Sequence, residues 1–230
     1  MYLNSFINRA NAAIHEYPEP LKYLQDRGFD TEDINKYQLG YLNIARIKEV
    51  DSGDYRYIKK RSYGFKNLQK RIIFPIKNIL GNTHGLVTRS IKEKLYVQYF
   101  LAEAKASGAF FGLKEALPYI QKTGKVFVHE GAFDAMSFAK IYPNTISSLT
   151  SYLNEAQYEL LRFFVDTIIL VYDNDSTGLA GADKIIKYYG SKHISYIDIG
   201  HGDSNSLLKS MGIENFKKYI ETRVPFLYRE

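Results

Sequence analysis

The stretch from residue 125 to residue 178, KVFVHEGAFDAMSFAKIYPNTISSLTSYLNEAQYELLRFFVDTIILVYDNDSTG, alternates short apolar runs with segments of helical spacing. The runs KVFVH, TISSL and TIILVYD are short, rich in β-branched residues and bounded by turn formers, which is strand behaviour; HISYIDI repeats the pattern from His193. Helical spacing recurs near 132–141, 154–164, 177–189 and 213–221. Parallel strands need long crossover connections, so this alternation predicts a parallel sheet covered by helices. Sheets of that kind build their sites at the carboxyl ends of the strands. Acidic groups follow three of the four strands: Glu130, the pair Asp173 and Asp175, and Asp203.

In VFVHEGAFDA, Glu130 ends a strand, Gly131 permits a tight turn, and Asp134 follows one helical turn later, so both carboxylates can face one crevice. Asp173 and Asp175 are two apart and project to the same side of an extended backbone, while Ser176 to Gly178 open the next helix. Like charges so placed repel unless a cation lies between them. Hard divalent ions take oxygen ligands from a few carboxylates and leave positions for water and phosphate, which points to magnesium or manganese and phosphoryl chemistry. A plainer reading also fits: Asp173 and Asp175 as helix caps, and Glu130 and Asp134 as a solvated helix start. His129 alternates in phase with Phe127 and reads as a packed strand residue, and His15 and His201 have no metal-like spacing.

Upstream, residues 2 to 45 read as three short helices: one ending near His15, one opened by Pro18 and Pro20, and one after Asp30 and Thr31. Residues 70 to 99 read as an antiparallel basic sheet, KRIIFPIKN, a turn at Leu80 to Asn82, HGLVTRSI and KLYVQYF. The expected division is a basic subdomain of helices and small sheet at 1–123, then an α/β domain with a C-terminal helix at 124–230. Charge follows it: residues 46 to 125 hold 17 Lys and Arg against 6 Asp and Glu, whereas residues 126 to 230 hold 10 against 13. One part is suited to grip a polyanion and the other to hold cations beside it. The 230 residues contain no cysteine, which excludes disulfides and any zinc site built on thiolates. No apolar run has the length of a signal-peptide core or a membrane span, so a cytoplasmic protein is expected.

These phrases resemble the bacterial-type (DnaG-like) primases, in the family's own order and through nearly the whole chain. LKYLQDRGFDTEDINKYQLGY resembles the segment before the family's catalytic domain, RIIFPIKNILGNTHGLVTR its strand pair, and FFGLKEA its "LYGL.eA" helix start. VFVHEGAFDAMSF and VYDNDSTG are similar to the "vEG..D" and "yDgD.AG" motifs of the Toprim fold. The resemblance implies a Toprim parallel sheet and a DNA-directed RNA polymerase that makes short RNA primers from ribonucleoside triphosphates on single-stranded DNA. It places metal-binding carboxylates at Glu130, Asp134, Asp173, Asp175 and Asp203, with Glu130, Asp173 and Asp175 as the catalytic set. It places phosphate and template contacts at Arg71, Arg89 and Lys94, with Lys105 substituting for a family lysine that falls near Ala106. In HGDSNSLL the chain departs from the family's "DPD.l" phrase: Ser204 replaces the proline, and Asn205 stands where a second Asp is usual.

With no cysteine for the family's zinc module, the resemblance implies a catalytic core alone, without structural zinc. It would be a trimmed core or a compact phage or mobile-element form, with a zinc module and a replicative helicase acting in trans; Met1 favours a natural start. Rival readings are a Toprim-type nuclease or topoisomerase and a non-catalytic single-strand-binding scaffold. A haloacid-dehalogenase-type phosphatase fits DNDST, but its motif would stand too near the chain end.

Overall fold

A computed structural model describes residues 3–41, 70–100, 108–172, 176–190, 192–200 and 202–224 of the chain. The chain forms two compact units, Met1–Ala106 and Ser107–Glu230. Among the described residues no helix is long and apolar enough to cross a membrane.

The first unit opens with α1 (Asn4–Ile14), α2 (Pro18–Gln25) and α3 (Thr31–Lys36). Pro18 starts α2 at a position where its missing N–H costs nothing. Asp30 caps α3 by accepting from Asp33 N at 2.9 Å, and the Asp33 side chain accepts from Asp30 N in return. An antiparallel sheet follows in the order β1 (Gly40–Tyr41), β2 (Arg71–Lys77), β3 (Thr83–Ser90), β4 (Tyr96–Phe100). The β2–β3 turn closes on Asn78, whose Oδ1 accepts from Leu80 N and Asn82 N at 3.0 Å each. Helix α1 lies so close to β1 that a Cβ on Gly40 would stand 2.7 Å from Ala10 Cβ, which explains the glycine. Among the described residues β1 pairs with β2 at Ile72 and Ile73, and Pro75 lies opposite Leu86 of β3.

The second unit carries a parallel sheet in the order β6 (Thr145–Ser147), β5 (Lys125–His129), β7 (Thr167–Leu170), β8 (Ile194–Tyr196). On one face Val126, Val128, Ile168 and Leu170 pack with residues of α4 (Leu113–Thr123), α6 (Glu155–Arg162) and α7 (Ser176–Tyr189). On the other, Phe127, Ile169 and Val171 pack with α5 (Ala132–Ala139) and α8 (Ser204–Arg223). Strand side chains alternate between faces, so strands covered on both sides carry near-continuous apolar runs, as the central β5 and β7 do in Val126–Val128 and Ile168–Leu170. Because α4 packs on this sheet through Leu113, Ala116 and Ile120, the second unit begins before the change of pattern near residue 124.

The path of the chain sets the crevice. From β5 it turns through α5 on one face, and from β7 through α7 on the opposite face. β5 and β7 are neighbours, so their following connections part at their carboxyl ends and leave a gap there, the position where open α/β sheets bind ligands.

Candidate active site

Glu130 and Gly131 form the turn after β5, and Val171 and Tyr172 follow β7. The turn is pinned from the β6 side: Ser147 Oγ donates to Glu130 O at 2.8 Å, and Ser148 N donates to His129 O at 2.9 Å, while the single hydroxyl hydrogen of Ser148 goes to Thr150 O at 2.6 Å. Gln157 holds the next loop, donating from Nε2 to Ser148 O at 3.1 Å and to Ala109 O at 2.9 Å, while its Oε1 accepts from Asn154 N at the cap of α6. Buried backbone carbonyls in a loop need such partners, and these side chains supply them.

Asp134 stands in the first turn of α5, where the helix dipole favours a carboxylate. Its Oδ1 accepts from Asn205 N at 3.0 Å, and its Oδ2 lies over Gly131, 2.5 Å from where a Cβ would be. Asp203 caps α8, accepting from Ser206 N at 2.6 Å. Asn205 Nδ2 donates to Ser137 Oγ at 3.0 Å. The N-terminal ends of α5 and α8 are thereby tied together, with Asp134 between them.

His129 is buried against the Phe138 ring, centroids 4.8 Å apart. Burial drives its pKa down to about 3, against the pull of the Asp203 charge, so the imidazole is neutral at pH 7. Tyr172 is pushed well up, first by burial and further by the Glu130 charge, with Ser148 opposing.

Of the residues singled out by sequence, Glu130, Asp134 and Asp203 occupy the turns and helix starts described here, while Asp173, Asp175 and Lys105 lie outside the described residues. Among the described residues no three His, Cys, Asp or Glu groups converge as a metal cage. The described carboxylates offer oxygen donors, the set that suits a hard divalent ion, and His129 beside Glu130 is sealed in the core. Residues that sequence reasoning passed over are Ser137, Ser147, Ser148 and Gln157, all buried and polar. Gln157 could have been found as the partner of Asn154 in a capping box at the start of α6, whereas no local motif signals the long-range contacts of Ser137, Ser147 and Ser148.

In the first unit Arg71 and Arg89 lie on the antiparallel sheet and are 6% and 8% exposed. Arg71 Nε donates to Thr88 Oγ1 at 2.9 Å, and its Nη2 donates to Leu95 O. Arg89 spans from Tyr23 OH at 2.8 Å to Tyr96 OH, with its guanidinium over the Tyr96 ring. Burial works against its charge, but the two tyrosines outweigh it and the net pKa shift is upward. Lys94 is exposed in the β3–β4 turn.

Residues 8–106 match the family described as DNA primase catalytic core, N-terminal domain, and residues 127–208 match the Toprim-like family. The DNA primase of Aquifex aeolicus is 26% identical over 224 residues, covering 89% of this chain and 45% of that protein. That of Borreliella burgdorferi is 25% identical, covering 96% and 47%. The chain thus spans less than half the length of these relatives. Among solved structures, the Aquifex aeolicus primase with its zinc-binding and RNA polymerase domains superposes with a TM-score of 0.77 at 24% identity, over 94% of this chain and 59% of that one. A DNA primase domain from Pseudomonas aeruginosa gives 0.79 at 19% identity, over 96% and 77%. A DnaG primase catalytic domain bound to single-stranded DNA gives 0.77 at 18%, over 96% and 79%. These likenesses establish a shared fold.

Proposed function

Since the chain belongs to the DnaG-like DNA primases, with the N-terminal domain of their catalytic core followed by a Toprim-like domain, we propose that it joins ribonucleotides on a single-stranded DNA template. The observation that carries this reading is the pinned Glu130–Gly131 turn at the gap between β5 and β7, with Asp134 and the capped start of α8 drawn to it.

Glu130, Asp134 and Asp203, with Asp173 and Asp175, are the residues that would hold one or two magnesium or manganese ions. Ions bound there would offset the triphosphate charge and lower the pKa of the attacking 3′-hydroxyl. The chain's own groups do the positioning. Ser147 and Ser148 fix the backbone beneath Glu130, so its carboxylate is presented from a rigid turn. Gly131 leaves space for the Asp134 carboxylate. His129, neutral and enclosed, adds no competing positive charge below it. On the other unit, Arg71, Arg89, Lys94 and Lys105 are assigned to phosphate and template; Lys94 is exposed, while the two arginines are nearly buried and preset by their sheet and tyrosine partners, leaving only an edge of each to meet a phosphate. Guanidinium groups so ordered lose little further freedom on meeting a phosphate. A zinc module and a replicative helicase acting in trans complete the proposal.

The test is Glu130→Gln, which keeps shape and removes charge. Ribonucleotide incorporation on single-stranded DNA should be lost while the thermal transition stays in place; natural-level incorporation by the folded variant would remove the reading. Metal-dependent DNA cleavage without incorporation by the natural chain would move it to the nuclease branch of Toprim proteins.

A further inference from the structure

The second residue of α8, Asn205, is 3% exposed. Its backbone N–H donates to Asp134 Oδ1 and its Nδ2 to Ser137 Oγ, both at 3.0 Å. Ser137 is fully buried and gives its single hydroxyl hydrogen to Phe133 O at 2.8 Å. Towards Asn205 it can therefore only accept. Position 205 needs a donor. A carboxylate of the same shape would set lone pairs against lone pairs where water cannot intervene, and would add a negative charge beside Asp134.

We propose that Asn205 is a positioning residue whose amide locks the first turn of α8 onto α5, so that its backbone N–H holds Asp134 in place, and that it is not an ion ligand itself. The proposal rests on the reading of Asp134 as part of a divalent-ion site and goes beyond it by assigning position 205 a role that requires the amide. The acidic residue of the α8 turn is then Asp203, while Asn205 faces into the protein.

The experiment measures Mn2+ binding to the full chain through the paramagnetic resonance signal of free Mn2+, alongside hydrogen exchange of the α8 first-turn amides in metal-free protein. Asn205→Asp should bind Mn2+ about tenfold more weakly or worse, the usual effect of losing a group that orients a ligand. Ser137→Ala, which removes only the acceptor and carries the test if Asn205→Asp fails to fold, should weaken binding in the same direction. Combined with Asn205→Ala it should add nothing, because both break one lock. Each variant should exchange the Asn205 amide faster. Tighter Mn2+ binding by Asn205→Asp would make position 205 a ligand position and overturn the proposal, as would unchanged affinity alongside faster exchange. Failure of the natural chain to bind Mn2+ would instead remove the ion-site reading. In that case faster amide exchange in Asn205→Asp still supports the lock, and unchanged exchange refutes it.

Discussion

Gly131→Ala separates the placement of one carboxylate from the integrity of the fold. Gly131 has φ −97° and ψ 145°, an extended conformation open to alanine, so the backbone is indifferent to the change. The obstacle is Asp134 Oδ2, 2.5 Å from the new methyl position. Ordinary contact needs about 3.4 Å or more, so the carboxylate must retreat by about 0.9 Å. That retreat breaks the bond from Asn205 N, and a hydrogen bond to a charged group contributes about 1.5–3 kcal/mol. Alanine returns about 0.4–1 kcal/mol by restricting the unfolded chain. The net loss is about 1–2 kcal/mol, or a fall in Tm of roughly 2–8 °C. A displacement of this size in a reacting centre costs about 100-fold in rate. Circular dichroism melting and ribonucleotide incorporation on single-stranded DNA should therefore give a small thermal shift and a large loss of incorporation. Natural-level incorporation, or a crystal structure of the variant with Asp134 unmoved, would refute the reasoning.

Gln157→Ala should destabilise the second unit by about 2–4 kcal/mol, since it removes the α6 cap partner and leaves the buried Ala109 and Ser148 carbonyls short of a donor; denaturant unfolding measures it, and a loss under 1 kcal/mol would show the loop finds other partners. His129 stays neutral in the folded protein down to about pH 3, whereas in the unfolded chain it takes up a proton below about 6.5. Its contribution to stability is therefore complete above that pH and falls as acid is added through the window, by up to about 1.4 kcal/mol per pH unit. Urea unfolding of metal-free His129→Phe, which keeps a ring against Phe138, should show a flatter dependence; an identical acid slope would exclude His129 as its source. A short RNA annealed to the template should strongly stimulate incorporation, because the first bond must otherwise join two separately bound nucleotides; equal incorporation on bare and primed template would contradict this.

The parallel sheet was legible because its strands are buried on both faces: TIIL and KVFVH have no polar alternation, and the breakers at Gly124 and Asp166 delimit them. The helices of the first unit were legible from Pro18 and Asp30, whose local chemistry fixes where a helix begins. The start of α8 was not, because Gly212, with φ 74°, interrupts the periodicity and only the segment beyond it reads as helix. The order that places β5 between β6 and β7 is decided by which faces the helices cover, and no single segment encodes that. The acidic residues were visible as a pattern, but the partners of Asp134 were not. Asn205 and Ser137 lie 71 and 68 residues away from the groups they bind, and nothing about an asparagine in a helix start announces which way its amide points.

Pro75 has a consequence for how the first unit assembles. Lacking an N–H, it cannot donate to Leu86, so its pairing with β3 is of the non-hydrogen-bonded kind and its nitrogen faces the side where β1 runs. Among the described residues β1 spans Gly40–Tyr41 and pairs with a strand that begins at Arg71, so the two must find each other across a long separation in sequence. Shifted by two residues towards Lys77, β1 would keep the same side chains inward but meet a position with no hydrogen to give. The proline thus makes one alignment worth more than its nearest competitor during the search, and Pro75→Val should slow refolding by letting the chain pause in the shifted register.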